Sequence, residues 1–444
     1  MLNHLIVNAR LVNEGRVFES DLRIRSGRID EIGRELGARP DEQVFDARGA
    51  VLMPGMIDDQ VHFREPGLTH KGDIGSESRA AVAGGITSYM EMPNTSPWTG
   101  SMEMIGEKCA RAAQTSLANY AFYLGATNDN LDDVRSADEH GVAGIKVFMG
   151  ASTGNMLVDR EEVLDAIFRD APCLIATHCE DTPTINANLA EFRARYCEDI
   201  PPEAHPDIRS REACIKSTRL AMELARRHDA RLHVLHISTA DELALFTPGP
   251  TEGKRITAET CVHFLHFDRA DYARKGNLIK CNPALKDASD RLALLEAVKD
   301  GRIDVLATDH APHLLSEKGA RYDKAAAGLP LVQFAVQLAL ERYHDGVFDL
   351  PLIVDKLAHT PARMFGVRQR GFLREGFQAD LVLVDLDRPQ LVRREDVLNR
   401  CGWSPFEGDT LRSTILATWV NGHLAWNRGQ LNDSLLGQRL EFAR

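Results

Sequence analysis

The sequence predicts an α/β fold: a (β/α)8 TIM barrel with a small composite β-sandwich domain that the N- and C-terminal segments build together. Three observations carry this prediction. The middle of the 444-residue chain alternates short apolar runs with amphipathic segments, as parallel strands joined by helices do. Eight apolar runs can be distinguished there, the number of strands in such a barrel. Both ends of the chain instead carry short alternating segments separated by turns.

The two ends of the chain are expected to pack together as one β-domain. Near the N-terminus, residues 21–25 alternate polar and apolar side chains, as a half-buried strand does. Near the C-terminus, residues 379–385 predict a strand. Residues 417–426 predict two strands around an Asn421-Gly422 turn, a pair that favours tight hairpins. The predicted boundaries are 1–54 and 366–444 for the composite β-domain, and 55–365 for the barrel.

The barrel strands are predicted from the apolar runs of the middle segment. Runs such as 174–177 and 305–308 are short and nearly continuous, as strands buried on both faces require. Between the runs, residues 212–227 predict a helix with Leu220 and Leu224 on its apolar face. The strands are predicted near residues 56–63, 87–94, 120–127, 144–150, 173–180, 231–239, 255–265 and 304–313.

The composition narrows the class of function. The formal net charge of -12 argues against general binding of nucleic acid or of an anionic membrane. No run approaches the roughly 18 apolar residues of a membrane span, and the first residues lack the features of a signal peptide. The 8 cysteines are scattered without a CxxC pair, which favours reduced thiols. We therefore expect a cytoplasmic protein that acts on a small molecule, without a nucleic-acid or membrane partner.

Polar side chains of the types that bind metals or transfer protons follow six of the predicted strands. The active site of a barrel enzyme lies at the carboxyl ends of its strands. Gln60, His62 and Arg64 alternate on the first strand and therefore share a face. The other strand ends carry Asn94, Lys146, His178, His236 and Asp309. Convergent imidazoles and carboxylates are ligands of a divalent metal, which activates water and polarises a carbonyl.

Each of these residues alone has an ordinary structural explanation. A histidine after a strand is commonly a satisfied core residue, an aspartate before a helix an N-cap, and a strand lysine one that reaches solvent. Their joint occurrence at six strand ends is what favours a metal site. His263 and His266 either approach this site or are structural, and residues 152–155 form either a lid or a turn. Glu259 and Cys261 are expected to pack in the interior.

The motifs at these strand ends resemble those of the dihydroorotases, cyclic amidohydrolases of the amidohydrolase superfamily. The resemblance rests on the His62-Phe-Arg-Glu-Pro-Gly and Met92-Pro-Asn-Thr segments, on Lys146, and on the Ala307-Thr-Asp-His-Ala-Pro-His segment. It extends over nearly the whole chain, and the β-rich ends match the composite β-domain of that family. Allantoinases and hydantoinases share the metal framework but less often this pair of motifs.

The resemblance implies a role for each matching residue. The implied ligands of one or two zinc ions are His62, Lys146, His178, His236 and Asp309. Lys146 would be carboxylated and would bridge the two ions, and Asp309 would also transfer a proton. Arg64 and Asn94 would bind the substrate carboxylate, a task suited to a guanidinium. The remaining substrate contacts would come from Asn282, His313, Ala327 and Gly328.

Gln60 departs from the pattern of the family, which usually has a histidine at this position. An amide oxygen is a poorer zinc ligand than an imidazole. We hypothesise that the first metal is held more weakly or by other ligands, with Asp58 or Asp59 as candidate replacements. Because the other implied ligands are present, we expect the protein to be active.

Three functions remain to be compared. The first is dihydroorotase activity, the reversible zinc-dependent hydrolysis of (S)-dihydroorotate to N-carbamoyl-L-aspartate in de novo pyrimidine (UMP) biosynthesis. The second is a related cyclic-amide hydrolase of the allantoinase or hydantoinase type. Arg64 and Asn94 argue against it, because those substrates lack the same carboxylate. The third is a metal-impaired relative that binds aspartate transcarbamoylase, supported only by Gln60. The family also implies a homodimer.

Overall fold

The computed structural model describes residues 3–150 and 156–444. The polar segment 152–155, predicted to be a lid or a turn, lies outside the described residues. Within the described ranges, the helices are too short or too polar to pass through a lipid bilayer. The chain forms a mixed α/β fold with one large, mainly antiparallel sheet and two parallel sheets.

Short strands occur along the whole chain. Those of the N-terminal segment are β1 (Asn3–Asn13), β2 (Arg16–Arg25), β3 (Arg28–Gly33), β4 (Glu42–Asp46) and β5 (Val51–Pro54). The middle segment has β6 (Met56–Val61), β7 (Ile86–Glu91), β8 (Asn119–Phe122), β9 (Leu124–Gly125), β10 (Ile145–Phe148), β11 (Ile175–His178), β12 (Leu232–Val234), β13 (Ile256–Cys261) and β14 (Val305–Ala307). The C-terminal segment has β15 (Leu381–Asp385), β16 (Gln390–Leu391), β17 (Thr410–Leu411), β18 (Thr414–Val420), β19 (His423–Asn427) and β20 (Gln430–Leu431).

Helices separate the strands of the middle segment. The first are α1 (Ile74–Ala83), α2 (Met102–Thr115), α3 (Leu131–Arg135), α4 (Glu161–Asp170), α5 (Thr182–Tyr196), α6 (His205–Ile208) and α7 (Arg211–His228). They are followed by α8 (Ala240–Leu243), α9 (Tyr272–Lys275), α10 (Ala288–Asp300), α11 (Leu315–Lys318), α12 (Ala335–His344), α13 (Leu350–Val354) and α14 (Thr360–Phe365). The helix predicted at residues 212–227 is α7, which begins after Ser210, whose side chain accepts a hydrogen bond from the Ala213 amide.

Strands from both ends of the chain share one nine-stranded sheet within the described residues. Its order is β20-β19-β18-β15-β5-β1-β2-β3, and β4 pairs with β1. The antiparallel pairing of β5 with β15 joins the N-terminal part to the C-terminal part. The predicted turn at Asn421 and Gly422 connects β18 to β19, and their φ angles of 51° and 74° are those that a tight hairpin turn requires.

The middle segment supplies the two parallel sheets. β6, β7 and β8 form a three-stranded sheet, and β9 to β14 form a six-stranded sheet. Only Tyr123 separates β8 from β9, so the two strands continue one line of chain. Every predicted run overlaps an observed strand. The observed strands end earlier, because the polar residues that follow leave the hydrogen-bonded ladder and line a cavity.

Side chains of the parallel strands alternate between two apolar cores. On β8, Tyr120 and Phe122 enter the core that the strands share with the helices, whereas Ala121 enters a second core. On β10, Ile145 and Val147 belong to the first core. Lys146 between them therefore points to the second face, and this is the face on which the cavity opens.

Candidate active site

One cavity brings together every residue that the family resemblance implies as a metal or substrate ligand. It lies at the carboxyl ends of the parallel strands, as in barrel enzymes. Its lining consists of Gln60, His62, Arg64, Asn94, Lys146, Phe148, His178, His236, Asn282, Asp309, Ala311, His313, Ala327 and Gly328. Phe148 and Ala311 were not predicted. Phe148 follows Lys146 by two residues on β10, so the period of a strand contained the signal that places it here.

A bulge in β6 directs the first group of side chains. Asp58 and Val61 both pair with β7, but the register shifts between them, so that two residues of β6 stand opposite one of β7. The two residues are Asp59 and Gln60. As a result Gln60 lines the cavity, while the neighbouring Asp59 is wholly buried beside His233.

Three cavity residues have a left-handed backbone, which is unfavourable for residues other than glycine. The φ angles are 72° at Arg64, 43° at His236 and 50° at Asp309. Each such residue costs roughly 1–3 kcal/mol, and such residues are concentrated at binding and catalytic sites. In each case the chain turns after a strand and brings the side chain into the cavity. The backbone strain therefore indicates a functional constraint here.

Histidines and one carboxylate meet in two close pairs. His62 Nε2 lies 3.1 Å from Asp309 Oδ1, and His178 Nδ1 lies 2.9 Å from His236 Nε2. Burial lowers the pKa of all three histidines, which favours the neutral rings that metal binding needs. For Asp309, burial raises the pKa, but the hydrogen bond and charge of His62 together with the charges of His236 and His263 outweigh burial, and the pKa falls to about 2. Asp309 is therefore ionised at neutral pH.

Lys146 lies among these ligands, although lysine is rarely buried. It is 1% exposed, and its Nζ lies 4.7 Å from the centre of the Phe148 ring. Burial lowers its pKa to about 8, because an ammonium ion loses its hydration there. A buried lysine whose amine is readily neutral has the reactivity that carboxylation by carbon dioxide requires.

The set of donors in the cavity fits a zinc ion. Imidazole nitrogens and a carboxylate are the ligands that zinc prefers beside thiolates. His236 Nδ1 is buried and has no hydrogen-bond partner in the described part of the chain. His178 Nε2 lies 3.0 Å from Glu180 Oε2, and Glu180 is in turn paired with Arg209. A carboxylate behind the ring is the arrangement that orients a metal-binding histidine.

Gln60 lines the cavity but presents its amide nitrogen there. Gln60 Nε2 donates to Asp309 Oδ1 at 3.2 Å. An NH2 group has no lone pair for a metal, so in this orientation Gln60 acts as a hydrogen-bond donor to a ligand. The candidate replacements Asp58 and Asp59 do not line the cavity. Asp58 instead accepts hydrogen bonds from the hydroxyl and amide of Thr308, at 2.6 and 3.2 Å.

Arg64 gives one wall of the cavity a positive charge. It is 5% exposed, and it donates to the Pro312 carbonyl at 3.2 Å and contacts His313 Nε2 at 3.0 Å. His313 Nδ1 lies 3.1 Å from Lys71 Nζ, so both of its ring nitrogens face cationic groups. Among residues 3–150 and 156–444, no carboxylate lies within ion-pair distance of Arg64. A buried guanidinium without a carboxylate is costly unless an anion binds to it.

Backbone and amide groups line the cavity beside His313. Asn282 Oδ1 is buried without a hydrogen-bond partner in the described ranges. Gly328 has a φ angle of 142°, and a Cβ atom there would lie 2.5 Å from the Ala311 carbonyl oxygen. Only glycine fits this position, which brings bare backbone to the cavity. The buried Lys318 donates to the Gly328 carbonyl at 2.9 Å and holds this segment in place.

Near the cavity, the sequence left the place of two histidines open and gave no sign of two lysines. His263 and His266, which the sequence left open, do not line the cavity. Lys71 and Lys318 were missed, because they lie outside the strand ends and no periodic pattern marks them. Both make polar contacts with residues of the cavity wall and not with the cavity itself.

A second group of metal-type ligands lies outside the cavity. Asp59, His233 and Glu259 are each 0% exposed, and their ligand atoms lie within 4.8 Å of one another. Glu259 is interior, as expected, but it packs as an ionisable group beside two others. Asp59 and His233 were missed as a pair, because the bulge in β6 changes the face on which Asp59 lies.

The chain is similar to known proteins over most of its length. The profile of the amidohydrolase family matches residues 51–425. The chain is 35% identical over 424 residues to a dihydroorotase of Halobacterium salinarum, covering 95% of this chain and 96% of that protein. It is 32% identical over 445 residues to an allantoinase of Solibacter usitatus, covering 98% and 96%.

Among solved structures, the fold is similar to that of the L-hydantoinase (dihydropyrimidinase) from Arthrobacter aurescens. The TM-score is 0.93 at 27% sequence identity, and the match covers 99% of this chain and 100% of that one. The resemblance drawn from the motifs is thus confirmed by full-length relatives. The chain belongs to the amidohydrolase family.

Proposed function

We propose that the protein is a dihydroorotase, which hydrolyses (S)-dihydroorotate reversibly to N-carbamoyl-L-aspartate in pyrimidine biosynthesis. The observation that carries this proposal is the buried Arg64, which lacks a carboxylate partner in the described residues and lines the same cavity as His62 and Asp309. Dihydroorotate combines a cyclic amide with a carboxylate, so it can use both sides of this cavity. The dihydroorotase relatives support the same choice.

We propose that the cavity holds one or two zinc ions. The ligands would be His62, Lys146, His178, His236 and Asp309, with Lys146 carboxylated and bridging if two ions are bound. A free ammonium group cannot ligate a cation, whereas a carbamate can. When bound, zinc acts as a Lewis acid on the ring amide and makes water a better nucleophile.

The residues of the chain bind and orient the substrate and move one proton. Arg64 and Asn94 bind the carboxylate, which places the ring amide toward His62 and Asp309. His313, Asn282 and the backbone at 327–328 complete the contacts with the substrate. Asp309, which is ionised, takes a proton from the attacking water and passes it to the ring nitrogen as the amide bond breaks.

A related cyclic-amide hydrolase is the second candidate. The allantoinase relative and the hydantoinase structure support it, since both match nearly the whole chain. Their names refer to ring substrates that lack the carboxylate of dihydroorotate. Arg64 therefore separates the two candidates, because only a substrate with a carboxylate uses its charge. The third possibility, a metal-impaired partner of aspartate transcarbamoylase, rests on Gln60 alone.

Ring opening of L-dihydroorotate by the purified protein tests the proposal. The protein is assayed after chelation and again after zinc and bicarbonate are added, beside a panel of dihydrouracil, hydantoin and allantoin. We expect activity on dihydroorotate that chelation removes and zinc restores. Activity confined to a ring without a carboxylate would transfer the assignment to the second candidate. A folded, zinc-loaded protein inactive on every ring would favour the third, and Gln60→His would be the next variant.

We also propose that the two parallel sheets are parts of one closed (β/α)8 barrel of residues 55–365. A parallel bridge between Val61 and His310 and a 2.7 Å hydrogen bond from the His62 amide to the His310 carbonyl support it, since they link the first strand to the last. Residues 1–54 and 366–444 would form the composite β-sandwich. An apolar cluster drawn mainly from strands of the nine-stranded sheet supports this second unit.

We further propose that the protein forms a homodimer in the cytoplasm and that it associates with aspartate transcarbamoylase. The homodimer and the association rest on the family resemblance, and the compartment rests on the scattered cysteines. Light scattering of the purified protein gives the oligomeric state. The same measurement after mixing with aspartate transcarbamoylase tests the association, and the two results are independent of the assay of activity.

A further inference from the structure

Three metal-type ligands occupy the second core, separate from the residues of the cavity. Asp59 lies on β6, His233 on β12 and Glu259 on β13, and all are 0% exposed. None of them lines the cavity. Two carboxylates and one imidazole, enclosed without solvent, need a positive charge among them, because buried like charges repel and are costly.

The hydrogen bond behind His233 leaves the Nε2 atom of its ring facing the two carboxylates. The Thr257 hydroxyl donates its proton to the Leu232 carbonyl at 3.3 Å, so its oxygen accepts from His233 Nδ1 at 2.8 Å. With Nδ1 donating to Thr257, Nε2 faces Asp59 and Glu259. Burial lowers the pKa of His233, but the hydrogen bonds and charges of Asp59 and Glu259 outweigh it and raise this pKa to about 9, so Nε2 carries a proton until a cation displaces it. A histidine that binds a metal has the same arrangement, with its other nitrogen donating to a polar partner.

The distances in the cluster are also those expected between two ligands of one metal ion. His233 Nε2 lies 3.2 Å from Asp59 Oδ2 and 3.3 Å from Glu259 Oε2. A charge-assisted hydrogen bond between these groups would measure roughly 2.7–2.9 Å. Two ligands of a tetrahedral zinc ion with bonds of about 2.0 Å stand about 3.3 Å apart.

Asp59 supplies an independent observation. Both of its carboxylate oxygens are buried, and neither has a hydrogen-bond partner among the described residues. A proton on His233 Nε2 could point to only one carboxylate, and Glu259 is the one in hydrogen-bond geometry. A buried carboxylate left without a donor is costly. A cation between the three side chains would contact all of them at once.

We propose that Asp59, His233 and Glu259 form a separate binding site for a divalent cation of the zinc type. The site would tie β6, β12 and β13 together in the second core. The other oxygen of Glu259 accepts the backbone amide of His236 at 3.1 Å, so the cation would also steady a residue of the cavity. This site does not depend on which substrate the cavity binds.

Anomalous diffraction from crystals of the zinc-loaded protein tests the proposal without any variant. We expect an anomalous peak between Asp59, His233 and Glu259, resolved from any peak in the cavity. Zinc-loaded crystals without a peak at this position would overturn the proposal, whatever the cavity contains. Such crystals would leave a hydrogen-bonded imidazolium cluster in its place, and they would not bear on the proposed activity.

Metal content of variants gives a second test in solution. After exhaustive dialysis of the zinc-loaded protein, we expect Asp59→Asn to contain one zinc ion per chain fewer than the wild type. The matched control is Asp58→Asn, which removes a neighbouring buried carboxylate bonded to Thr308 and should keep the wild-type content. His178→Asn should lose zinc from the cavity and keep the interior ion. A folded Asp59→Asn protein with wild-type zinc content would contradict the proposal.

Discussion

Two buried arginines in different parts of the molecule have opposite surroundings. Arg23, on β2 of the nine-stranded sheet, is 2% exposed and forms ion pairs with Glu31 and with Glu42, the latter at 2.6 Å. Arg64, at the cavity, is 5% exposed and has no carboxylate within ion-pair distance in the described part of the chain. A buried charge that the fold neutralises serves the fold, whereas one left without a counter-charge serves a ligand.

The two regions that contain these arginines also differ in the kinds of side chain that they bury. The nine-stranded sheet encloses an apolar core that includes Leu22, Ile24 and Trp419. The second face of the parallel strands instead holds a buried lysine, imidazoles and carboxylates near the cavity. Burying these groups opposes folding, so their presence on one face indicates that this face carries the chemistry.

The largest effect is expected on the cavity side, from Asp309→Asn. The amide cannot accept a proton, so kcat should fall about 10³-fold, equivalent to about 4 kcal/mol. Steady-state kinetics with L-dihydroorotate measure the change, and zinc content is determined in parallel. The control is Asp132→Asn, whose side chain is 97% exposed on α3 and which should leave kcat unchanged. A kcat within tenfold of the wild type would remove Asp309 from proton transfer.

Arg23→Gln should destabilise the fold and leave the cavity untouched. Breaking the buried pair leaves Glu42, whose side chain is 2% exposed, without its cation, which costs about 3 kcal/mol. Urea unfolding should show this loss in the free energy of unfolding, while KM stays at its wild-type value. The matched control is Arg25→Gln on the same strand, whose partner Asp41 is 3.5 Å away and half-exposed. Equal effects of the two variants would refute the role given to the buried pair.

Arg64→Gln should weaken substrate binding and leave the fold stable, the reverse of the result expected for Arg23→Gln. The substrate carboxylate would lose a charged donor, so KM for L-dihydroorotate should rise about 30-fold, equivalent to about 2 kcal/mol. The free energy of unfolding should stay the same or increase, because a buried unpaired charge is removed. Any hydrolysis of dihydrouracil, which lacks the carboxylate, should keep its KM. A parallel rise for both substrates would mean that Arg64 shapes the cavity without binding the carboxylate.

Gln60→His should have the smallest effect. An imidazole at this position adds a ligand of the kind zinc prefers, so zinc should be lost to a chelator a few-fold more slowly. The kcat should change by less than about threefold, since Asp309 remains in place. Release of zinc, followed with a colorimetric indicator, measures the difference. Faster release from Gln60→His than from the wild type would show that Gln60 already favours the metal.

Most residues that line the cavity could be predicted from the sequence, but few of the residues that hold them in place could be. His62, His178, His236 and Asp309 lie at the end of a buried strand or within two residues after it, where a polar residue stands out in the sequence pattern. Asp59 was considered only as a replacement ligand for the first metal, because a one-residue bulge changes the face on which it lies and leaves no mark in the pattern.

The sequence pattern also did not predict the lengths of the strands or the contacts between residues far apart in the chain. The predicted strands extended into the polar residues that line the cavity, since apolar runs do not state where a hydrogen-bonded ladder ends. Lys71 lies in a loop, and only the three-dimensional structure brings its amine to His313. Contacts of this kind join residues far apart in the chain, where periodicity carries no information.

The shared sheet also bears on the order in which the chain can fold as it is synthesised. Asn13 donates a hydrogen bond to the carbonyl of Leu373, 360 residues further along the chain. β5 pairs with β15 along one edge, and this edge stays open until β15 has left the ribosome. Contacts so distant in sequence form slowly, and an open edge is prone to pair with other chains. We therefore expect chaperones to bind the strands of the N-terminal segment during synthesis.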